Sequence, residues 1–334
     1  MAGEGDPIHD TMKAVKAAAA LAVLVTLITL PLPSAAQKYP EKSIRLIVPF
    51  PSGASQILGI LVAEKLTETL GQPVVVDFRP GAGGTIGAEV AARAPNDGYT
   101  LLLTSVSLTI SPSIYKSLKF DPLRDFAPVT QVAAVPNVMV VHPSVPAKNL
   151  KELIQVARAH PGKLSFGSGG VGSSNHLANE LFKALAKVSI VHVPYKGASI
   201  ALTHILSGEI EMVVVTVPAT IPFITSGRLR GIAVLAPQRV PALPGVPTTA
   251  ESGMPELVVI TWYGLFVPTG VRPDIINRLN AEMVRIMNAP EVKRQLVKVE
   301  VEPVTSTPSA FGALFRKESE TWARVIREAN IKFE

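Results

Sequence analysis

The chain has 334 residues, 47% of them hydrophobic and 17% charged, enough apolar material for two α/β domains of ordinary size. It has no cysteine, which excludes disulfides, thiolate metal sites and cysteine nucleophiles. The formal charge is +6, but Lys and Arg are scattered singly or in pairs and aromatics make up only 5%, which argues against nucleic acid as a partner and leaves a weak preference for anionic ligands.

Lys13 and Lys16 precede an apolar run from Ala17 to Leu30, and Ser34-Ala35-Ala36 puts small residues at the positions that determine cleavage. This pattern predicts a secretory signal peptide over residues 1–36, removed before Gln37. The run is short for a membrane span, and an uncleaved anchor is the alternative; no later stretch approaches the roughly 18 apolar residues a span needs.

Ile44 to Val48 is a short β-branched run of the kind found in a strand covered on both faces. Pro49 ends it, and Ser52-Gly53-Ala54-Ser55-Gln56 combines a permissive glycine with two hydroxyls, which is helix-entry chemistry. Leu58, Leu61, Val62, Leu66 and Leu70 then recur on one face of a helix that Gly71 and Pro73 close. A loop between a strand's carboxyl end and a helix amino end presents unpaired N–H groups and a positive dipole end, so it suits an anion; a helix merely capped by Ser52 or Ser55 is the competing reading.

A second strand over Val74 to Asp77, a turn at Arg79-Pro80-Gly81-Ala82-Gly83-Gly84, a helix over Ile86 to Ala94 and a third strand over Thr100 to Thr104, ending in Ser105 and Ser107, follow. That alternation predicts a parallel, doubly wound sheet. Val129 to His142 is longer than one strand of a small sheet needs and reads as a crossing between domains. A second α/β series then begins: helix 149–159, strand 164–166, the loop Gly167 to Ser174, helix 175–187, strand 190–193, helix 198–206, and strands 212–216 and 231–235. Val258 to Val267 is a return crossing, and helices starting near Pro273 and Pro308 make the tail. The expected domains are residues 37–138 with 262–334, and 139–261, with a hinged cleft between them.

Gly167, Gly169 and Gly172 fit the spacing of a dinucleotide-binding turn, but no acidic residue lies within Lys187 to Lys196, where the ribose partner belongs. An anion site capped by Ser173 and Ser174, with Ser168 beside them, is the reading; a structural cap and a nucleotide remain alternatives. His176, just inside the next helix, either caps the loop or lines the cleft. The six histidines have no zinc spacing and no carboxylate cluster offers a hard-cation cage, so neither metal nor cofactor is expected. Ser55 lacks the setting of a nucleophile elbow, although an α/β enzyme acting on a carboxylate or nucleotide stays open as the rival function.

Five stretches carry a resemblance: Ile44 to Phe50, Arg79 to Gly84, Pro95-Asn96-Asp97-Gly98-Tyr99-Thr100-Leu101-Leu102, His192-Val193-Pro194-Tyr195-Lys196-Gly197 and Trp262-Tyr263-Gly264-Leu265-Phe266. In this order they resemble the periplasmic solute-binding proteins of tripartite tricarboxylate transporters, the Bug receptors, over about Tyr39 to Glu334. The resemblance implies a monomeric, periplasmic-binding-protein-like receptor of two α/β domains that closes over a small organic acid and delivers it to membrane permease subunits. Carried over by position, the ligand-binding loops are Ser52 to Gln56 and Ser168 to Ser174, including Gly169 and Gly172, with Ser105 and Ser107 alongside; His176, Thr216 and Trp262 are further candidates from the chain itself, with a core aromatic as the competing reading of Trp262. Two departures stand out: Gln56 and Val215 occupy places where the family often has an acid. If both face the cleft, ligands bearing an ammonium group lose their counter-charge.

Overall fold

Ile44–Val48 forms β1, buried at four of its five positions, as a strand covered on both faces requires. The computed structural model of the chain describes Met12 and residues 39–115, 117–328 and 330–331. Every element below belongs to the compact unit Lys42–Glu334. The expected signal peptide lies outside the described residues, Met12 apart. No described helix is long and apolar enough to cross a membrane.

β1 feeds α1 (Gly53–Leu70), whose buried face carries Leu58, Leu61, Val62, Leu66 and Leu70 as the periodicity predicts. Gly71, left-handed, stops it with its N–H on the Thr67 carbonyl at 3.1 Å. β2 (Val74–Phe78) and β3 (Thr100–Ser105) flank β1 in parallel, with α2 (Thr85–Ala92) between them in sequence. The spatial order β2-β1-β3 brings the loops after β1 and β3 to one sheet edge. After Ser105 the chain does not remain extended: Ser107–Ile114 is a helix, α3, despite Pro112 and its β-branched residues, because Leu108 and Ile110 are buried in the core.

Past the short α4 (Pro122–Asp125), β4 runs from Phe126 to Val141. Its first part pairs with β9 (Ile260–Pro268) as far as Pro136; from Asn137 onward its neighbours are β7 (Met212–Thr216) and β8 (Arg230–Val234). The change of partner falls at a proline, which has no N–H to give to a ladder. Between β4 and β9 the second wing repeats the first. α5 (Leu150–Ala159) leads to β5 (Ser165–Ser168), α6 (Ser174–Ala186), β6 (Val191–Pro194), α7 (Ala198–Leu206) and β7, with β7-β5-β6 parallel; α8 (Ile221–Thr225) precedes β8.

The expected parallel strands are present in both wings, and the crossings join them. Each wing has three parallel strands, but β4 and β9, which carry the chain between wings, are antiparallel to each other and to β7 and β3, so one mixed sheet results. The tail supplies α9 (Pro273–Asn288), then α10 (Pro290–Val297) and the two-residue β10 (Glu302–Pro303) that the sequence reading passed over, and α11 (Pro308–Glu328). α11 places Phe311 and Phe315 against Phe266 at ring distances of 4.9 and 5.0 Å, fixing β9 from the side away from the loops.

Candidate functional site

Three helix amino ends, from α1, α6 and α7, face one cavity of about 300 Å³. In the first wing Ser52 is the residue before α1, with extended backbone and no capping bond from its side chain. Gly53 has φ +58, and a Cβ there would lie 3.3 Å from Thr216 Oγ1, so glycine lets the start of α1 approach β7. Ser55 is 1% exposed, and its hydroxyl has no partner among the described residues. Gln56 follows on the same wall, with Phe50 and Ser105 beside it.

The second wing contributes Gly169, Ser173, Ser174 and Asn175 from the loop entering α6, and Ala198, Ser199 and Leu202 from α7. Here the polar groups are already engaged. Ser173 caps α6 by accepting the His176 N–H at 3.3 Å, and its hydroxyl lies 2.7 Å from the Gly170 carbonyl and 2.5 Å from Asn175 Oδ1. Asn175 Oδ1 also accepts the Gly169 N–H at 3.2 Å. Val215, Thr216 and Ala219 form the wall after β7. At the crossings stand Asn137, whose Nδ2 donates to the Val259 carbonyl and to Thr261 Oγ1 at 2.8 and 2.9 Å, and Tyr263, whose buried phenol is pushed well above its usual range.

No Asp, Glu, Lys, Arg or His is among the described residues that line this cavity. An anion there would meet first-turn N–H groups and the positive dipole ends of three helices, each equivalent to about half a charge. Neutral hydroxyl, amide and backbone donors around a cavity with apolar walls at Phe50, Leu202, Val215 and Ala219 can hold a carboxylate without a counter-cation. Among the described residues no group of three or more His, Asp or Glu is placed to hold a metal ion.

Of the expected site residues, Ser52, Gly53, Ser55, Gln56, Ser105, Gly169, Ser173, Ser174 and Thr216 line the cavity. Six do not. Ala54 turns into the buried side of α1, one helical step from its neighbours. Ser107 begins α3 and bonds Ser105 Oγ at 3.1 Å. Ser168 ends β5 behind the wall, 2.6 Å from His192 Nε2; the pair has the reach of a nucleophile and base, but the serine is 0% exposed. Gly172 packs against Ile114 and Tyr115, and His176 is buried beneath the loop. Trp262 faces the other side of β9, edge-on to Phe311 and Phe315, with its N–H on Glu318. Alternation along the strand sends Tyr263, not Trp262, to the cavity.

The α7 wall was missed although its signal was present: Gly197-Ala198-Ser199 is a third glycine-serine helix entry after a strand. Asn137 carried no local signal, since only the pairing switch in β4 brings it to the cavity.

Away from the cavity the wings touch through glycines. A Cβ on Gly83, at φ +60, would collide with the Val171 carbonyl. The Tyr115 hydroxyl donates to that same carbonyl at 2.6 Å.

Residues 60–331 match the family model described as the tripartite tricarboxylate transporter family receptor, TctC. Protein BugT of Bordetella pertussis is 37% identical over 303 residues, 90% of this chain and 93% of BugT. An R. palustris protein solved with adipate is 32% identical with a TM-score of 0.84, over 87% of this chain and 98% of that one. MatC from Rhodopseudomonas palustris, solved with bound malate, is 27% identical with a TM-score of 0.82, over 86% of this chain and all of that one. The periplasmic binding protein BugD superposes with a TM-score of 0.84 at 30% identity, over 89% of this chain and all of BugD. With that breadth of match joined to the two-winged fold, the chain belongs to the TctC family of periplasmic solute-binding proteins.

Proposed function

We propose that this protein is a periplasmic receptor that captures a small organic carboxylate in the cavity between its wings and delivers it to the membrane subunits of a tripartite tricarboxylate transporter. The observation that carries the reading is the convergence of three helix amino ends and the hydroxyls of Ser52, Ser55, Ser174, Ser199 and Thr216 on a cavity whose walls bear no charge. Residues 37–138 with 262–334 act as one lobe and 139–261 as the other, hinged at β4 and β9. The ligand contacts both lobes only when they meet, so its binding energy favours the closed form. Micromolar affinity needs about −8 kcal/mol, and three or four charge-assisted bonds of roughly 1.5–3 kcal/mol each, discounted for closure, supply it. The relatives with adipate and malate support an acid of this size.

Gln56 and Val215 both line the cavity, so an ammonium group on the ligand meets no carboxylate there. An acid without an amino group, with a partly apolar body against Leu202 and Val215, fits best. Calorimetric titration with adipate, malate and glutarate against 2-aminoadipate, aspartate and glutamate tests this. At least one plain acid should bind with micromolar affinity and its amino counterpart at least 100-fold more weakly. Tight binding of the amino acids with none of the plain acids would sink the reading.

A further inference from the structure

Three residues just behind the second-wing loop form a stack. His176 and His192 lie face to face with ring centroids 4.0 Å apart, and Phe166 covers His192 at 4.7 Å. One histidine comes from α6 and the other from β6, and they hold the two ends of the loop. His176 Nδ1 accepts the Gly172 N–H at 3.2 Å, which places that ring's proton on Nε2, facing Glu180 at 3.9 Å. His192 Nε2 lies 2.6 Å from Ser168 Oγ, and the same oxygen accepts the Gly170 N–H at 3.1 Å. Among the described residues Glu180 and Lys183 are charged groups that face the stack; Lys183 pairs with Glu180 at 2.7 Å and sits over the Phe166 ring at 5.5 Å. Burial, then the neighbouring ring and Lys183, holds His176 down to about 3; burial and Lys183 hold His192 to about 4.

We propose that the His176–His192 stack is the positioning unit that fixes loop 168–174 in its ligand-receiving shape, and that protonating the stack releases the loop. This rests on reading the cavity as the ligand site. The loop carries Gly169, Ser173 and Ser174 into the cavity, and its Val171 carbonyl receives the Tyr115 hydroxyl from the other wing. A proton on His176 Nδ1 turns an acceptor into a donor aimed at the Gly172 N–H. A proton on His192 Nε2 takes away the acceptor that faces the Ser168 hydroxyl. Two charged rings at the stacking distance repel each other as well. The ligand seat and the contact between wings therefore answer to the same two rings.

Paired variants separate hydrogen bonding from packing. Asn and Gln supply amide oxygens near the positions of Nδ1 and Nε2, whereas Phe keeps the stack and removes the acceptor. The probe is whichever of adipate, malate and glutarate binds the unaltered protein most tightly at pH 7. H176F and H192F should bind it at least tenfold more weakly, while H176N and H192Q stay within threefold. Phenylalanine variants that bind as well as the unaltered protein, or amide variants as weak as the phenylalanine ones, overturn the proposal. A second measurement needs no ligand: in nitrogen-15-labelled protein, the Gly170 and Gly172 amide resonances should shift with the midpoints of the two rings as pH falls from 7. Amides that stay fixed while the rings titrate overturn it too. Failure of all three acids to bind defeats the carboxylate reading of the cavity, and the amide titration then still decides the role of the stack.

Discussion

The loop entering α1 and the loop entering α6 occupy equivalent places in the two wings, yet they leave their polar groups in opposite states. Around α1 the Ser52 side chain makes no capping bond, and the Ser55 hydroxyl is buried with no partner among the described residues. Around α6 Ser173 bonds Asn175, Ser168 bonds His192, and Ser173, Asn175, Ser168 and His176 each bond the backbone of the loop. A buried hydroxyl without a partner costs free energy, so under the proposed function the first loop is held in a state that a ligand would relieve. The second is satisfied beforehand and acts as a rigid seat. One wing carries the unfulfilled demand and the other supplies the preorganised surface.

The largest expected effect comes from filling the space between the two. Ser174→Trp or Ser52→Trp places an indole in a cavity of about 300 Å³. Binding of every small acid should be lost, by at least 1,000-fold, while far-UV dichroism and the melting temperature stay close to those of the unaltered protein. Retained affinity in both variants would place the ligand elsewhere.

Next in size is the response of the satisfied loop to acid. His176 and His192 have folded pKa values of about 3 and about 4, below the ordinary 6.5, so the unfolded chain takes up protons more readily than the folded one. Their contribution is complete above pH 6.5 and is lost as pH falls toward 4 for His192 and 3 for His176. At pH 4.5, two pH units below the ordinary value, the loss for His176 is about 2–3 kcal/mol, at 1.36 kcal/mol per unit. Denaturant melts at pH 7 and 4.5 measure it, and H176N should remove the His176 share of the difference while the His192 share remains. The first loop carries no titratable group at the cavity, so Gln56→Ala should leave the pH dependence unchanged.

The contrast between the loops was only half legible in the sequence. The strand, the glycine-serine entry and the helix were readable at both places, because β-branched runs, helical periodicity and turn residues are local signals. Which hydroxyls are already bonded was not, since Ser168 meets a histidine 24 residues away and Ser173 meets Asn175 only once the loop has closed. The same limit explains Trp262 and Tyr263: adjacent aromatics on a strand face opposite sides, and only the packing of α11 decides which side is core. α3 escaped because its β-branched residues and Pro112 argue against a helix locally, and tertiary burial of Leu108 and Ile110 overrides that preference.

A smaller and sharper test takes one hydroxyl from each loop. Ser173→Ala removes the cap of α6 along with its contacts to Gly170 and Asn175, and should lower stability by about 1–2 kcal/mol and weaken binding severalfold. Ser55→Ala should do the reverse to stability. Its hydroxyl is buried without a partner, so its loss leaves no protein donor or acceptor stranded and should raise the stability of the ligand-free protein by up to about 1 kcal/mol. Affinity should fall about tenfold, because the bond that relieved the hydroxyl can no longer form. Melting with and without saturating ligand separates the two. For Ser173→Ala both curves move down together, whereas for Ser55→Ala the ligand-free curve rises and the gap between the curves narrows. Two serines changed in the same way, one at each helix entry, would then shift stability with opposite signs, which follows only if one loop is satisfied by the protein and the other by what it binds.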